Sequence, residues 1–369
     1  MNTRVLHVVT SLDPGGMENG VCNLACGLST RGFETHVACL ERRGAFADRL
    51  PPESVTTLGK RGGFSLRAVW ALMRTLRRVR PHIIHTHNLG PLIYAAISTL
   101  GCRTHPILHG EHSQLAPWEL EPRRLRQRHK LYRTCRAIHT VSQSQLDELI
   151  RLDFPREKLS TIANGVDTAH FAPGDRIAAH TKLGLPADAI VLGLVGRFGP
   201  FKRHDTLLAA FEELAPQHPS AHLLFIGGGG SEEERIRKLV GACLHRERIH
   251  LAGFHSNPAP LYNALDLLVI PSVNEGMSNA ALEAMACAVP VLGNFGCGHE
   301  QILTSGKDGI LADLTTSAAL STALMPLLST PQALVDMGLH ARTTVEFRFS
   351  LTTMLDAYSQ LYRAYARAT

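Results

Sequence analysis

Two carboxylates, Glu275 and Glu283, stand eight positions apart in the stretch "VNEGMSNAALEAMACAVP", residues 273–290. Between Asn279 and Cys287 every residue except Glu283 is apolar or small. A buried carboxylate without partners is costly. Glu283 must therefore either meet a core arginine in an ion pair or await a ligand. A ribose diol would supply two hydroxyl donors to that one carboxylate. Ser278 or Asn279 is a good N-cap for a helix starting there, and the free amides of a helix start suit a phosphate. Glu283 would lie about one turn inside, roughly 6 Å along the axis. The pattern fits a sugar nucleotide.

Two further segments carry compatible chemistry. "LGLVGRFGPFKRHDTL" places Arg197 and Lys202 in the loop after an apolar run. Two cations there could neutralise a diphosphate leaving group; as surface-loop residues they could equally face water. "LLFIGGGGSEEERI" places Gly227, Gly228, Gly229 and Gly230 between a strand and a helix, where backbone can approach a ligand closely. It fails as a dinucleotide fingerprint, because Glu232 stands where the third glycine of GxGxxG would be. No carboxylate cluster of the DxD sort ends a strand, so no divalent cation is expected; the expected co-substrate is the nucleotide sugar, with no cofactor.

These residues need strands to deliver them. Short apolar runs alternate with helix-length segments throughout the chain. They are "RVLHVV", "THVACL", "HIIHTH", "PILHG", "AIHTV" and "LSTIA" in the first half, and "IVLGLVG", "HLLFIGG", "IHLAGF", "DLLVIPS" and "VPVLGN" in the second. Such runs mark parallel sheets buried on both faces. Two sets imply an α/β chain with two doubly wound, Rossmann-like domains. The 369 residues suffice for both. The expected boundaries are 1–172, 173–349 and a last helix over 350–369, with a Pro- and Gly-punctuated linker at 167–189. In such sheets ligands bind where strands end and helices begin.

Composition narrows the class. Charged residues are 19% of the chain, which argues against disorder. The eight cysteines lack CxxC or zinc-like spacing and read as reduced thiols of a cytoplasmic protein. No signal peptide is recognisable, and no apolar run approaches the roughly 20 residues that span a bilayer. Residues 1–172 hold 23 Lys/Arg against 14 Asp/Glu, whereas 173–369 hold 15 against 18. Seven of the basic residues lie in "PRRLRQRHKLYRTCR", residues 122–136, without an acid. That stretch is either a solvated helix face or a surface that meets phosphate.

The set "GRFGPFKRHDTLLAAF", "FIGGGG", "NEGMSNAALEAMACAVPV" and "GNFGCGHEQI" resembles the retaining GT-B glycosyltransferases of family 4. "SLDPGGMENGVCNLACGL", "HTHNLG", "HGEHS" and "IANGVDTAHFAP" extend the resemblance over nearly the whole chain, in versions similar to an exopolysaccharide-associated subgroup. The resemblance implies two Rossmann-like domains facing each other across a cleft, with the last helix crossing back onto the first. It implies that Arg197 and Lys202 hold the donor diphosphate, that Glu283 binds the ribose and that Glu275 and His112 lie near the transferred sugar. Gly15, Gly16, Gly227, Gly228, Phe254, Gly276, Met277 and Ser278 complete the donor-binding set. Glu300 and Gly298 fall near the donor as well. His85, His87, Glu111 and His112 are the acceptor-side candidates; for the histidines, structural packing is the competing reading. Arg203 stands where the family often has glycine, and the family's frequent aspartate in the glycine-rich segment is missing.

The expected activity is transfer of a sugar from a UDP- or GDP-sugar to a glycan or polyprenyl-diphosphate-linked acceptor, with retention and without a metal. It would take place in the cytoplasm, with peripheral contact to an anionic membrane as an option. A sugar-nucleotide epimerase on the same fold, an NAD-dependent oxidoreductase and a non-enzymatic binding module are the alternatives. The failed glycine fingerprint disfavours the oxidoreductase. Nucleic acid is not an expected partner, because no recognition motif accompanies the basic stretch.

Overall fold

The computed structural model describes residues 2–100 and 105–366. Cys102 lies outside them; the other seven cysteines are free. The chain divides into two units, Met1–Gly165 with Leu351–Thr369, and Val166–Ser350.

The first unit is built on seven parallel strands: β1 (Thr3–Ser11), β2 (Phe33–Arg42), β3 (Val55–Thr57), β4 (Ile83–His87), β5 (Ile107–Glu111), β6 (Cys135–Thr140) and β7 (Leu159–Thr161). Their order is β3-β2-β1-β4-β5-β6-β7, so the winding reverses between β1 and β4. Helices α1 (Gly16–Leu28), α2 (Leu66–Val79), α3 (Leu89–Ser98), α4 (Pro122–Thr134) and α5 (Gln143–Arg151) connect them. Alternate residues of β1 serve opposite faces. Leu6 and Val8 pack with Leu72, Leu92 and Tyr132 from α2, α3 and α4, whereas Val5 packs with Leu24 and Leu28 of α1. Both faces are covered, which is why β4 and β5 are buried along their whole length.

The second unit repeats the scheme with six strands: β8 (Ile190–Val195), β9 (Ala221–Ile226), β10 (Ile249–Gly253), β11 (Leu267–Ile270), β12 (Val291–Asn294) and β13 (Gly309–Ala312). The order is β10-β9-β8-β11-β12-β13, with its reversal between β8 and β11. The helices are α6 (Arg176–Leu183), α7 (His204–Leu214), α8 (Glu233–Ala242), α9 (Ala259–Tyr262), α10 (Asn279–Ala286), α11 (His299–Ile302), α12 (Ser317–Ser329) and α13 (Pro331–Arg348). Gly338 in the middle of α13 lets that helix approach the turn after α10, because a Cβ there would meet the Ala288 carbonyl oxygen at 2.0 Å. The last helix, α14 (Leu351–Ala366), belongs to the first unit, where Met354, Leu355, Tyr358 and Tyr362 join the α1 side of the core.

The boundaries thus fall at 165/166 and 350/351 rather than at 172/173 and 349/350. The 167–189 segment is not a plain linker: it contains α6, capped by the Asp175 carboxylate accepting from the Ala178 amide at 2.9 Å. Strands β3 and β13 were not expected. They are edge strands of three and four residues.

Candidate functional site

The reversal point of each sheet is where an open α/β fold receives a ligand. In the second unit, the segments after β8 and β11 carry Arg197, Lys202 and Glu275. Arg197 is exposed, and its guanidinium has no ion-pair or hydrogen-bond partner among the described residues. Lys202 is not a free cation: its Nζ pairs with Glu275 Oε1 at 2.5 Å. Burial pushes the Glu275 carboxyl up, but the charge and hydrogen bond of Lys202, helped by His299 and Ser272, leave it below its ordinary value. An ammonium has three donors, so two remain for another anion. Arg203 is committed elsewhere, donating to the Thr315 carbonyl oxygen at 2.7 Å and the Thr206 hydroxyl at 3.2 Å. Its φ of 57° lies in the left-handed region, which accounts for the glycine frequent at this position in the resembled family.

Ser278 is the N-cap of α10, its hydroxyl accepting from the Ala281 amide at 3.3 Å. Gly276, Met277 and Ser278 are buried beside it, and Phe254, after β10, is exposed. Glu283 sits half-buried on α10. The core-arginine alternative fails among the described residues. Its side-chain partner is Tyr262 of α9, whose hydroxyl donates to Oε2 at 2.7 Å. Burial, only partly offset by that one bond, pushes the Glu283 carboxyl up to about 7. The sequence did not flag Tyr262: it lies 21 residues away in an unremarkable "PLYNALD". Arg342 of α13 holds the end of α10 by donating to the Ala286 carbonyl oxygen, while also reaching the Phe171 and Thr168 carbonyl oxygens at 3.3 Å.

The glycine-rich segment has a packing role. A Cβ on Gly227 would meet the Gly196 carbonyl oxygen at 2.1 Å, and one on Gly230 the Phe198 carbonyl oxygen at 2.3 Å. Those glycines seat the post-β9 loop on the post-β8 loop that holds Arg197. Gly228 lies against Phe254. Glu300 accepts from the Gly296 amide after β12, and Gly298, at a φ of 72°, precedes α11.

In the first unit, Gly15 caps α1 in extended backbone and Gly16 begins the helix after β1. His87 is buried at the end of β4 and His112 is half-buried just after β5; His87 Nδ1 and His112 Nε2 are 2.9 Å apart. Two acceptor-side expectations require correction. His85 is fully buried and committed through both nitrogens, to Tyr362 Oη at 2.6 Å and His139 Nε2 at 2.9 Å. Glu111 turns into the unit. Its Oε1 accepts from Arg128 and Tyr132 and lies 3.0 Å from His109 Nε2. Burial raises its carboxyl, but Arg128, His109 and Tyr132 outweigh it and hold it at about 2. The basic stretch is corrected with it: Arg128 is 1% exposed and also pairs with Glu119, so it cannot meet an outside anion.

Residues 14–170 match the model described as Glycosyltransferase Family 4, and residues 175–344 match Glycosyl transferases group 1. The chain belongs to the family 4 glycosyltransferases. It is 31% identical over 230 residues to a D-inositol 3-phosphate glycosyltransferase of Saccharomonospora viridis, covering 59% of this chain and 53% of that protein. For the Rhodococcus jostii protein of that name the figures are 32% over 226 residues, 59% and 50%. The chain thus spans about half the length of these relatives. In fold it matches Anabaena HepE, solved with UDP and glucose, at a TM-score of 0.86 and 21% identity, over 98% of this chain and all of that one. It matches sucrose-phosphate synthase of Thermosynechococcus elongatus at 0.85 and 21%, over the whole of both.

Proposed function

We propose that this chain is a retaining glycosyltransferase that takes a nucleoside-diphosphate sugar in its second unit and passes the sugar to a glycan or polyprenyl-diphosphate-linked acceptor. The observation that carries the proposal is Glu283, a carboxylate with a single side-chain donor, raised to about 7 and set one turn inside a helix whose start adjoins Glu275 and Lys202. A ribose diol supplies the missing donors. Arg197, the spare donors of Lys202 and the start of α10 face the diphosphate, whose charge grows as the sugar departs. Glu275 positions Lys202 for that task. In a retaining reaction without a protein nucleophile, the acceptor attacks from the leaving-group side, and the departing phosphate accepts its proton. The HepE structures hold UDP and UDP-glucose, which favours UDP-glucose as the first donor to test. Binding of UDP-, GDP- and ADP-sugars by calorimetry tests the donor reading: no binding of any member overturns it. Cations placed for the diphosphate predict activity that survives EDTA, and NMR of the fresh product reads retention or inversion.

The acceptor side of the proposal includes an anionic membrane, and the first unit supports it. No single helix among the described residues is long and apolar enough to cross a bilayer; the contact we propose is peripheral. α3 packs between α2 and α4. The outer face of α2 presents Leu66 and Trp70 among Arg67, Arg74, Arg77 and Arg78, without an acid, after the exposed Phe64. α4 adds Arg123, Arg124, Arg126, Lys130 and Arg133, and Arg124 lies over Trp118. Basic residues with interleaved aromatics suit a headgroup layer, at about 1 kcal/mol per cation near the surface. Co-sedimentation with anionic vesicles should fall with salt and with Arg74→Glu plus Arg124→Glu. Wild-type protein that ignores such vesicles at low salt would remove the membrane reading and leave the transferase reading intact. This assignment implies cell-surface or exopolysaccharide synthesis on the cytoplasmic side of the membrane.

A further inference from the structure

The first unit contains a line of imidazoles that the donor chemistry does not use. His7 of β1 stands opposite His85 of β4 in the parallel register, and His87 follows two residues on, on the same face. His7 Nδ1 is 3.1 Å from His87 Nε2, and His87 Nδ1 is 2.9 Å from His112 Nε2. Gly110 makes room for this arrangement, since a Cβ there would meet His139 Nε2 at 2.7 Å and His112 Nε2 at 2.9 Å. Burial lowers His7 to about 3, His87 well below its ordinary value and His112 to about 4, so all three rings are neutral at pH 7.

A neutral imidazole carries one N–H. Two hydrogen bonds joining three such rings can therefore be made in only two ways, and each fixes all three tautomers. If His87 carries its proton on Nε2, His7 must carry its own on Nε2 and His112 its own on Nε2. If His87 carries it on Nδ1, then His7 and His112 are also protonated on Nδ1. The two states differ at the inner end of the line. His7 Nε2 is buried and has no hydrogen-bond partner. The first state leaves an orphaned N–H there; the second leaves an unfilled acceptor. Among buried backbone groups an orphaned N–H is rarer than an under-satisfied acceptor, and the same cost of stranding a donor away from water applies to a ring N–H.

We propose that His7 and His87 are positioning residues that hold His112 as an Nδ1–H donor, with the line of protons running outward from β1 through β4 to the end of β5. His112 then donates to a ligand hydroxyl and does not accept a proton from one at Nδ1. The assignment of that ligand as the transferred sugar rests on the glycosyltransferase reading; the tautomer itself does not. His7, His85 and His87 also place nitrogens within 4.8 Å of one another, as a metal site would. Pairwise hydrogen bonds, His7 to His87 and His85 to Tyr362 and His139, account for the close nitrogens without a metal.

The test is two-bond 15N–1H correlation NMR on full-length, 15N-histidine-labelled protein without substrates, with His112→Asn to assign the resonance. Wild-type His112 should show protonated Nδ1 and bare Nε2. His87→Asn, whose carboxamide N–H replaces the Nδ1 donor, should keep that signature. His87→Leu should lose it in favour of the Nε2–H form. Wild-type His112 protonated on Nε2 overturns the proposal without any variant. So does an unchanged His112 signature in a folded His87→Leu protein, and so does a stoichiometric zinc shift of the His7 and His87 nitrogens. Because no donor or acceptor enters the measurement, its failure is separate from failure of the transferase reading, which the donor panel decides.

Discussion

Glu111 in the first unit and Glu283 in the second are carboxylates in similar positions, at or near the carboxyl end of a buried strand and in the helix that follows one. Their environments drive them in opposite directions. Glu111 is held at about 2 by Arg128, His109 and Tyr132 against the cost of burial. Glu283 has Tyr262 alone and rises to about 7. Desolvation acts on both, so the number of partners decides the sign. A carboxylate whose acceptor capacity is filled from within serves the fold, whereas one left short of donors is poised for a ligand. The contrast can be broken from either side.

The largest effect should come from the satisfied carboxylate. Arg128→Leu leaves Glu111 buried without its cation, and breaking a buried pair in this way costs about 3–5 kcal/mol. A large drop in Tm is expected at neutral pH. The sign with pH follows from linkage. Glu111 has a folded value below its unfolded one, so its stabilisation is present above about pH 4.5 and fades as pH falls toward about 2. Thermal scans should therefore show the wild-type advantage over Arg128→Leu shrinking in acid. A variant as stable as wild type at pH 7 would mean that Glu111 finds its partners elsewhere.

The next effect should come from the unsatisfied carboxylate, in binding and not in folding. Glu283→Gln removes a charged acceptor and should weaken donor binding by about 1.5–3 kcal/mol, roughly tenfold to over a hundredfold. Its effect on stability has the opposite sign to that at Glu111. A carboxyl raised in the folded state contributes stability below about pH 4.5 that is lost as pH rises through about 7. Glu283→Gln should thus match or exceed wild-type Tm at pH 8. Arg197→Ala and Lys202→Ala should depress kcat more than donor affinity, because phosphate charge grows toward the transition state. Equal loss in both parameters would place these cations in ground-state binding alone.

The two carboxylates also mark how far the sequence could be read. The apolar runs that become the long strands were visible, and so was the isolated charge of Glu283, because each is a local pattern. The partners were not. Arg128 is 17 residues from Glu111 inside a run of arginines, and nothing in that run distinguishes the buried one from its solvent-facing neighbours. α4 has to dock before one of its six cations is selected. Tyr262 and Glu283 are separated in sequence by β11 and meet only once α9 and α10 have folded beside each other. The histidine line was likewise split among "VLHVV", "IIHTH" and "HGEHS", and only the β1–β4 pairing brings His7 to His87. Local chemistry was legible; the neighbours that determine its protonation were not.

The smallest effect is also the most specific, because it reads the proton on Glu283 directly. With a value of about 7 in the free protein, the carboxyl is about nine-tenths protonated at pH 6. A diol donating two hydrogen bonds favours the ionised form, which only accepts and makes the stronger, charge-assisted bonds. Binding at pH 6 should therefore release close to one proton, and binding at pH 8 almost none. Calorimetry in two buffers of different ionisation enthalpy measures this: the apparent enthalpies should diverge at pH 6 and coincide at pH 8. Affinity should rise with pH up to about 7 and then level off. The ligand must be an intact nucleotide sugar, since a free terminal phosphate has its own ionisation near pH 6 and would add to the count. Glu283→Gln should abolish the release while leaving Glu111 untouched. If wild type releases no proton at pH 6, or if the Gln variant still does, Glu283 is not the group that meets the ribose, and the contrast with Glu111 is one of packing alone.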